Sequence, residues 1–110
     1  MAKIPARKQV SKKYTWNAES VFKTTKEWDT ALKAVIDGIP NVKKYEGTLS
    51  ESPKTLLAGI KAIEDLSLRA QTVFMYAQFA YAVDTTNQAS GALVGKAQGM
   101  FGQVFAAIAF

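Results

Sequence analysis

The sequence predicts an all-α protein, arranged as an antiparallel helical hairpin or bundle around one long central helix. Apolar residues recur at intervals of three and four between residues 53 and 83, which is the spacing of one helix face. Ser, Thr and Asn stand at the starts of the helical patterns. No dense apolar stretch alternates with the period of two that a half-buried strand requires. These three observations together favour helices throughout.

Charge divides the chain into a basic, flexible arm at residues 1–13 and a helical region at residues 14–110. The net charge is +5. The basic residues that precede the first acidic residue are Lys3, Arg7, Lys8, Lys12 and Lys13. No aromatic side chain lies between these charges, so the stacking surface of a single-strand nucleic-acid binder is absent there. We therefore expect a solvated terminus, no nucleic-acid partner and no signal peptide, which favours a cytoplasmic location.

Two helices are predicted before residue 50. Asn17 is the expected N-cap of a short helix, and either Thr24 or Thr25 is the expected N-cap of the next one. The residues expected to dock the first part on a core are Tyr14, Trp16, Val21 and Phe22. The apolar stripe of the second helix consists of Trp28, Leu32, Val35 and Ile36. We expect this helix to end at Gly38 and Pro40, because both residue types disfavour a helix interior.

The most regular stretch predicts a single helix from residue 53 to residue 83. Ser52 is a favourable N-cap, and Pro53 suits the first helical position. The predicted seam, in steps of four and three, is Leu56, Ile60, Ile63, Ser67, Ala70, Phe74, Ala77 and Tyr81. A second row of Leu66, Val73 and Ala80 widens the apolar stripe. We expect the second half of this helix to be covered on more than one side.

The short turn DTTNQ, with Thr86 or Asn87 as N-cap, predicts a last helix antiparallel to the long one. Three of its glycines recur every four residues, at Gly91, Gly95 and Gly99. We interpret this row as a place where another helix approaches closely inside a helical protein. A membrane helix is disfavoured, because Lys96 interrupts the apolar residues and the longest apolar stretch is too short to cross a bilayer.

The composition excludes the commonest catalytic constellations. The chain has no His and no Cys, which removes His-based triads, the HExxH zinc motif and thiolate chemistry. Glu64 and Asp65 are adjacent and point about 100° apart on a helix, so they do not form a paired acid and base. We predict no catalytic, cofactor-binding or metal-binding residue in this chain. The aromatic residues Phe74, Tyr76, Phe79 and Tyr81 fit a peptide groove or, as we prefer, the core and its interfaces.

Four phrases occur in a characteristic order and spacing. They are YTWNAESVF, KEWDTAL, YEGTLSESPKTLL and MYAQFAYAVDTTNQAS. Together they resemble the N-terminal region of oligoendopeptidase F, a family of zinc metallopeptidases of the thimet-oligopeptidase type, over residues 7–110. The positions that match the helical region of that family are Trp16, Phe22, Trp28, Leu49, Tyr76, Ala77 and Asp84.

The resemblance implies a longer, mostly helical peptidase of which this chain is a fragment. Such a peptidase holds zinc through an HExxH helix and a downstream Glu, and it hydrolyses short peptides in a deep cleft that this helical region helps to wall. None of those zinc positions falls in this sequence. Zinc, an oligopeptide substrate and the rest of the peptidase chain are therefore implied for the parent protein alone. The alternative function is a free-standing helical interaction module that self-associates through its last two helices.

Overall fold

The computed structural model describes residues 4–110 and shows a bundle of three α-helices. The helices are α1 (Thr25–Lys43), α2 (Pro53–Val83) and α3 (Gln88–Ile108). Three short 3-10 turns precede them, at Arg7–Gln9, Lys12–Tyr14 and Ala18–Ser20. No strand occurs in this part of the chain. The predicted all-α class with a long central helix is confirmed, whereas Lys3 of the predicted arm lies outside the described residues.

Side-chain caps determine where each helix begins. The side chains of Thr24, Ser52 and Asn87 each accept a hydrogen bond, of 3.1–3.2 Å, from the backbone N–H three residues later. Each bond satisfies one of the N–H groups that the first turn of a helix leaves without a partner. The predicted N-cap Ser52 is confirmed, and of the two predicted pairs Thr24 caps α1 rather than Thr25 and Asn87 caps α3 rather than Thr86. Asn17 instead precedes a single 3-10 turn, and its side chain makes no capping hydrogen bond.

The predicted end of α1 at Gly38 and Pro40 was wrong. The helix continues through both residues to Lys43. Val42 in the added turn is 2% exposed, and a Cβ on Gly38 would lie 3.4 Å from the Leu66 side chain. Burial of this turn against the bundle therefore outweighs the helical hydrogen bond that Pro40 lacks.

Consecutive helices are antiparallel, and all three contact one another. Trp28 bonds to Val73 and Gly38 lies against Leu66, so residue numbers rise along α1 as they fall along α2. The α2–α3 hairpin is closed by the short turn that precedes Asn87. The result is an elongated up-down-up bundle of 62 × 25 × 25 Å.

The core runs along the axis of this bundle. Its buried members are Trp28, Val35, Val42, Leu66, Ala70, Val73, Ala77, Ala97, Met100 and Val104. On α2 the buried row combines members of the predicted seam with members of the second row. Leu56 and Ile60 of the predicted seam are each 42% exposed. Since α2 has 31 residues and α3 has 21, the first turns of α2 extend beyond the end of α3.

Candidate functional site

A large, open cavity lies between the N-terminal segment (residues 4–20) and the corner where α2 meets α3. We call it the N-terminal cleft, and its volume is about 1520 Å³. Residues between positions 4 and 19 line one wall, and residues between positions 76 and 90 line the other. This volume exceeds the range of roughly 300–1,000 Å³ that is typical of small-molecule pockets. The cleft is therefore large enough for an extended ligand such as a peptide.

An aromatic cluster holds the N-terminal segment on α2. The Trp16 ring meets Tyr76 and Phe79 edge-on, with centroid distances of 5.8 and 5.3 Å. Phe22 meets the other side of this cluster, 5.2 Å from the Tyr76 ring. Such pairs contribute about 0.5–1.5 kcal/mol each beyond the burial of their area. Trp16 and Phe22 therefore dock as predicted, which fixes one wall of the cleft.

Arg7 links the predicted arm to the same cluster. Its Nη2 donates a 2.8 Å hydrogen bond to the backbone oxygen of Trp16, and its guanidinium carbon lies 5.8 Å from the Trp16 ring centroid. Glu19 is 3.9 Å from the same nitrogen, which is too long for a hydrogen bond. By contrast, Tyr14 is 74% and Val21 is 42% exposed, so these two residues do not dock as expected. The boundary at residue 13 stays a prediction.

Asp84 shapes the opposite wall, at the turn between α2 and α3. Its Oδ1 accepts hydrogen bonds from the Thr86 hydroxyl at 2.6 Å and from the Thr86 N–H at 3.0 Å. These two hydrogen bonds hold the pKa of the Asp84 carboxyl below its ordinary value, because both donors favour the ionised form. The hydroxyl of Thr86 has the larger effect and its backbone N–H the smaller one. Asp84 is thus an ionised, turn-forming residue at the edge of the cleft.

The cleft carries charges of both signs. Arg7, Lys8 and Lys12 lie on one wall together with Glu19, and Asp84 lies on the other. Within residues 4–110, no group of three potential metal ligands comes together. A zinc ion therefore does not fit the residues of this segment. The arrangement offers charge, hydrogen bonds and apolar contacts for binding.

The four aromatic residues noted in the sequence do not form one groove. Tyr76 and Phe79 face the N-terminal segment, whereas Phe74 lies 5.0 Å from the ring of Phe101 on α3. Tyr81 packs at the beginning of α3. Of the four, Tyr76 lines the N-terminal cleft.

A second, apolar groove of about 320 Å³ runs along α1 and α2. Its lining is Phe22, Ala31, Ala34, Leu68, Arg69, Thr72 and Val73. Leu68 is 65% exposed at its edge. Beside it, Arg69 forms an ion pair of 3.2 Å with Asp65, so the carboxylate of Asp65 belongs to a surface salt bridge.

Sequence comparison finds peptidases. The chain is 29% identical to Oligopeptidase PepF of Bacillus subtilis (strain 168) over 107 residues, which are 97% of this chain and 16% of that protein. It is 34% identical over 80 residues to Group B oligopeptidase PepB of Streptococcus agalactiae, which covers 73% of this chain and 13% of that protein. It is 26% identical over 104 residues to an oligoendopeptidase F homolog of Lactococcus lactis, which covers 91% of this chain and 17% of that protein.

These relatives define the class: the chain is a peptidase-related helical segment. It is homologous to the oligoendopeptidase F proteins over most of its length, which confirms the resemblance seen in the four phrases. The chain spans 13–17% of the length of the relatives it matches. No protein-family profile and no solved structure matches it significantly. Among the helices of residues 4–110, none has the length and apolar character to cross a bilayer.

Proposed function

We propose that this chain is a non-catalytic helical segment of an oligopeptide-cleaving zinc metallopeptidase and helps to wall its substrate cleft. The observation that carries this proposal is the homology to oligopeptidases over 73–97% of the chain. The lack of His and Cys supports a structural rather than a catalytic role. The zinc ligands belong to other parts of the full-length polypeptide. A cytoplasmic location is part of the same proposal.

The N-terminal cleft is the surface that we assign to the substrate wall. Lys8 and Lys12 supply positive charge that suits the carboxylate groups of a short peptide. Trp16 and Tyr76 supply aromatic surface for apolar side chains. The helical bundle beneath the cleft provides a rigid support, because its core side chains are almost fully buried.

The first test compares the full-length protein with the isolated 110-residue chain. The full-length protein is expected to hydrolyse a quenched fluorescent oligopeptide and to lose this activity with a zinc chelator. The isolated chain is expected to be inactive with or without added zinc. Chelator-sensitive hydrolysis by the purified chain would contradict the non-catalytic role, and a full-length protein inactive on oligopeptides would contradict the peptidase assignment.

The second test addresses the cleft wall. In the full-length protein, the double variant Lys8→Ala and Lys12→Ala is expected to raise KM for acidic peptides about threefold and to leave kcat unchanged, because exposed charge pairs contribute about 0.2–1 kcal/mol each. Lys33→Ala is the matched control, since Lys33 is an exposed lysine on α1 that does not line the cleft. Equal KM values in the double variant and the wild type would exclude this part of the wall.

A further inference from the structure

We infer that the outward face of α3 is an interface in the full-length polypeptide, where another helix packs closely against a row of glycines. The inference rests on the proposed function, because the second helix comes from polypeptide outside the matched segment. The outward face of α3 contains Ala92, Gly95, Gly99, Gly102, Phe105 and Ala106, all of which are exposed, together with the exposed, uncharged Gln98 and Gln103.

The first observation is that this face carries no charge. The one charged side chain of α3, Lys96, lies 3.6 Å from Asp29 and marks the side of the helix that faces α1. Phe105 follows nine residues later, which at about 100° per residue places it on the opposite side. Phe105 is nevertheless 57% exposed. A helix at a protein surface normally directs charged and polar side chains outward, whereas the polar side chains of this face are two uncharged glutamines, Gln98 and Gln103.

The second observation is open space beside three glycines. A Cβ built on Gly95, Gly99 or Gly102 would meet no atom within 4 Å. Of the glycines for which a close helix approach was expected, Gly91 has a neighbour in Tyr81, whereas within the described residues no helix approaches Gly95 or Gly99. At Gly59, where the bundle does pack closely, an added Cβ would lie 2.6 Å from Leu49. Glycines lower helix stability relative to alanine, and the outward row gains no contact here in return.

An aromatic edge adds apolar area to the same face. The Phe105 ring lies 4.7 Å from the Phe101 ring, which lies 5.0 Å from the Phe74 ring of α2. The outward face is therefore bordered by a row of three aromatic rings that ends at the exposed Phe105. A helix lying over the glycines would cover this ring and remove its apolar area from water.

The length of the relatives indicates where the second helix comes from. The chain spans 13–17% of their length, so more than four fifths of each relative lies outside the matched segment. A helix from that remainder would be covalently linked to α3, and its binding would not depend on protein concentration. Its contacting side is expected to be small and apolar, because the outward face offers no charge for pairing.

The test compares the same substitutions in two contexts by thermal unfolding, at a concentration where the isolated chain is monomeric. In the isolated chain, Gly95→Ala and Gly99→Ala are each expected to raise Tm by about 4 °C, since alanine favours the helix and its Cβ meets only open space. In the full-length protein the double variant is expected to lower Tm, because the added Cβ atoms occupy space that the docked helix uses.

Gly91→Ala is the matched control on the same helix. Its Cβ would make an ordinary contact of 3.7 Å with Tyr81 inside the chain, so its effect on Tm should have the same sign in both contexts. A rise in Tm of the full-length double variant would overturn the inference. Full-length dimers that dissociate on Gly95→Leu would also overturn it, because the occupant would then be a second copy.

Peptidase activity separates this inference from the proposed function. If the full-length wild type cleaves oligopeptides and the double variant has a higher Tm, the proposed interface is contradicted and the proposed function is not. If the full-length wild type has no peptidase activity and the double variant has a lower Tm, the proposed function is contradicted and the interface is supported.

Discussion

Helices α1 and α3 both pack on α2, but α1 has many charged residues on its outer side and α3 has few. Both bury an apolar row: Trp28, Val35 and Val42 on α1, and Ala97, Met100, Val104 and Ala107 on α3. The exposed charged residues of α1 are Lys26, Glu27, Lys33, Asp37 and Lys43. The exposed side of α3 is mostly Ala, Gly and Gln, with Phe105 and a single charged residue, Lys96. The difference lies outside the core, in the scarcity of charged residues on the exposed side of α3.

The contact between α1 and α2 is expected to give the largest effect. Trp28 is fully buried, and its Nε1 donates a 2.8 Å hydrogen bond to the Val73 carbonyl oxygen. Trp28→Ala is expected to lower the free energy of unfolding by about 4 kcal/mol through the cavity it creates. Trp28→Phe removes the donor and some volume, and about 1–2 kcal/mol is expected. Urea denaturation followed by circular dichroism measures both.

A matched control for the core substitution is Leu68→Ala on α2. Leu68 is 65% exposed, so its truncation is expected to change the free energy of unfolding by less than about 0.5 kcal/mol. If Trp28→Ala and Leu68→Ala lowered the free energy of unfolding equally, the burial of Trp28 in the core would not be what stabilises the contact between α1 and α2.

The outward face of α3 gives the next largest effect, in self-association of the isolated chain. With this face uncovered, we expect dimers or larger oligomers at concentrations of about tens of micromolar, because exposed apolar patches find partners. Phe105→Ser is expected to weaken association about tenfold, which corresponds to about 1.4 kcal/mol. Sedimentation equilibrium measures the change, and Tyr14→Ser, which alters a residue 74% exposed elsewhere, is the control. A monomeric wild-type chain with normal helix content would contradict this prediction.

The N-terminal segment gives a smaller effect. Deletion of residues 1–12 removes the hydrogen bond from Arg7 to the Trp16 carbonyl oxygen, but it leaves Trp16 against Tyr76 and Phe79. One hydrogen bond contributes about 1 kcal/mol, so Tm is expected to fall by only a few degrees. Thermal unfolding of the truncated chain measures this. A loss of several kcal/mol would show that the predicted arm is docked as firmly as the helices.

The parts of this fold that depend on local chemistry could be predicted from the sequence. Ser52 was identified as an N-cap, and Asn87 as one of two candidates, because a capping side chain acts within its own first turn. The extent of α2 was predicted because its apolar spacing continues without interruption. The stop at Pro40 failed because the decisive contact is non-local, namely the burial of the following turn against another helix.

The candidate site could not be predicted in the same way. The N-terminal cleft joins residues near position 10 with residues near position 84, and no periodic pattern links segments so far apart. The contact of Arg7 with the Trp16 backbone has no sequence signal, because a carbonyl acceptor exists at every residue. The row of glycines was noticed in the sequence, but whether its space is filled became clear only from the surroundings of each glycine.

The smallest effect is expected at the turn that joins α2 to α3. Because the hydrogen bonds from Thr86 lower the pKa of Asp84 in the folded chain, folding favours the ionised carboxyl. This stabilisation is fully present above the ordinary carboxyl pKa and is lost as pH falls through the lowered, folded-state pKa. Wild type should therefore be slightly more stable than Asp84→Asn at neutral pH, and this advantage should disappear in acid.

Denaturation at neutral and acidic pH measures the advantage, and an NMR titration measures the Asp84 pKa directly. Thr86→Ala removes the hydroxyl donor and keeps the backbone N–H, so the Asp84 pKa should rise part of the way to its ordinary value. An Asp84 carboxyl that titrates at its ordinary pKa in the wild type would show that the turn is open in solution. The α2–α3 hairpin would then be held by the contacts between its helices alone. The Asp84 carboxylate would no longer be held in one position at the edge of the N-terminal cleft.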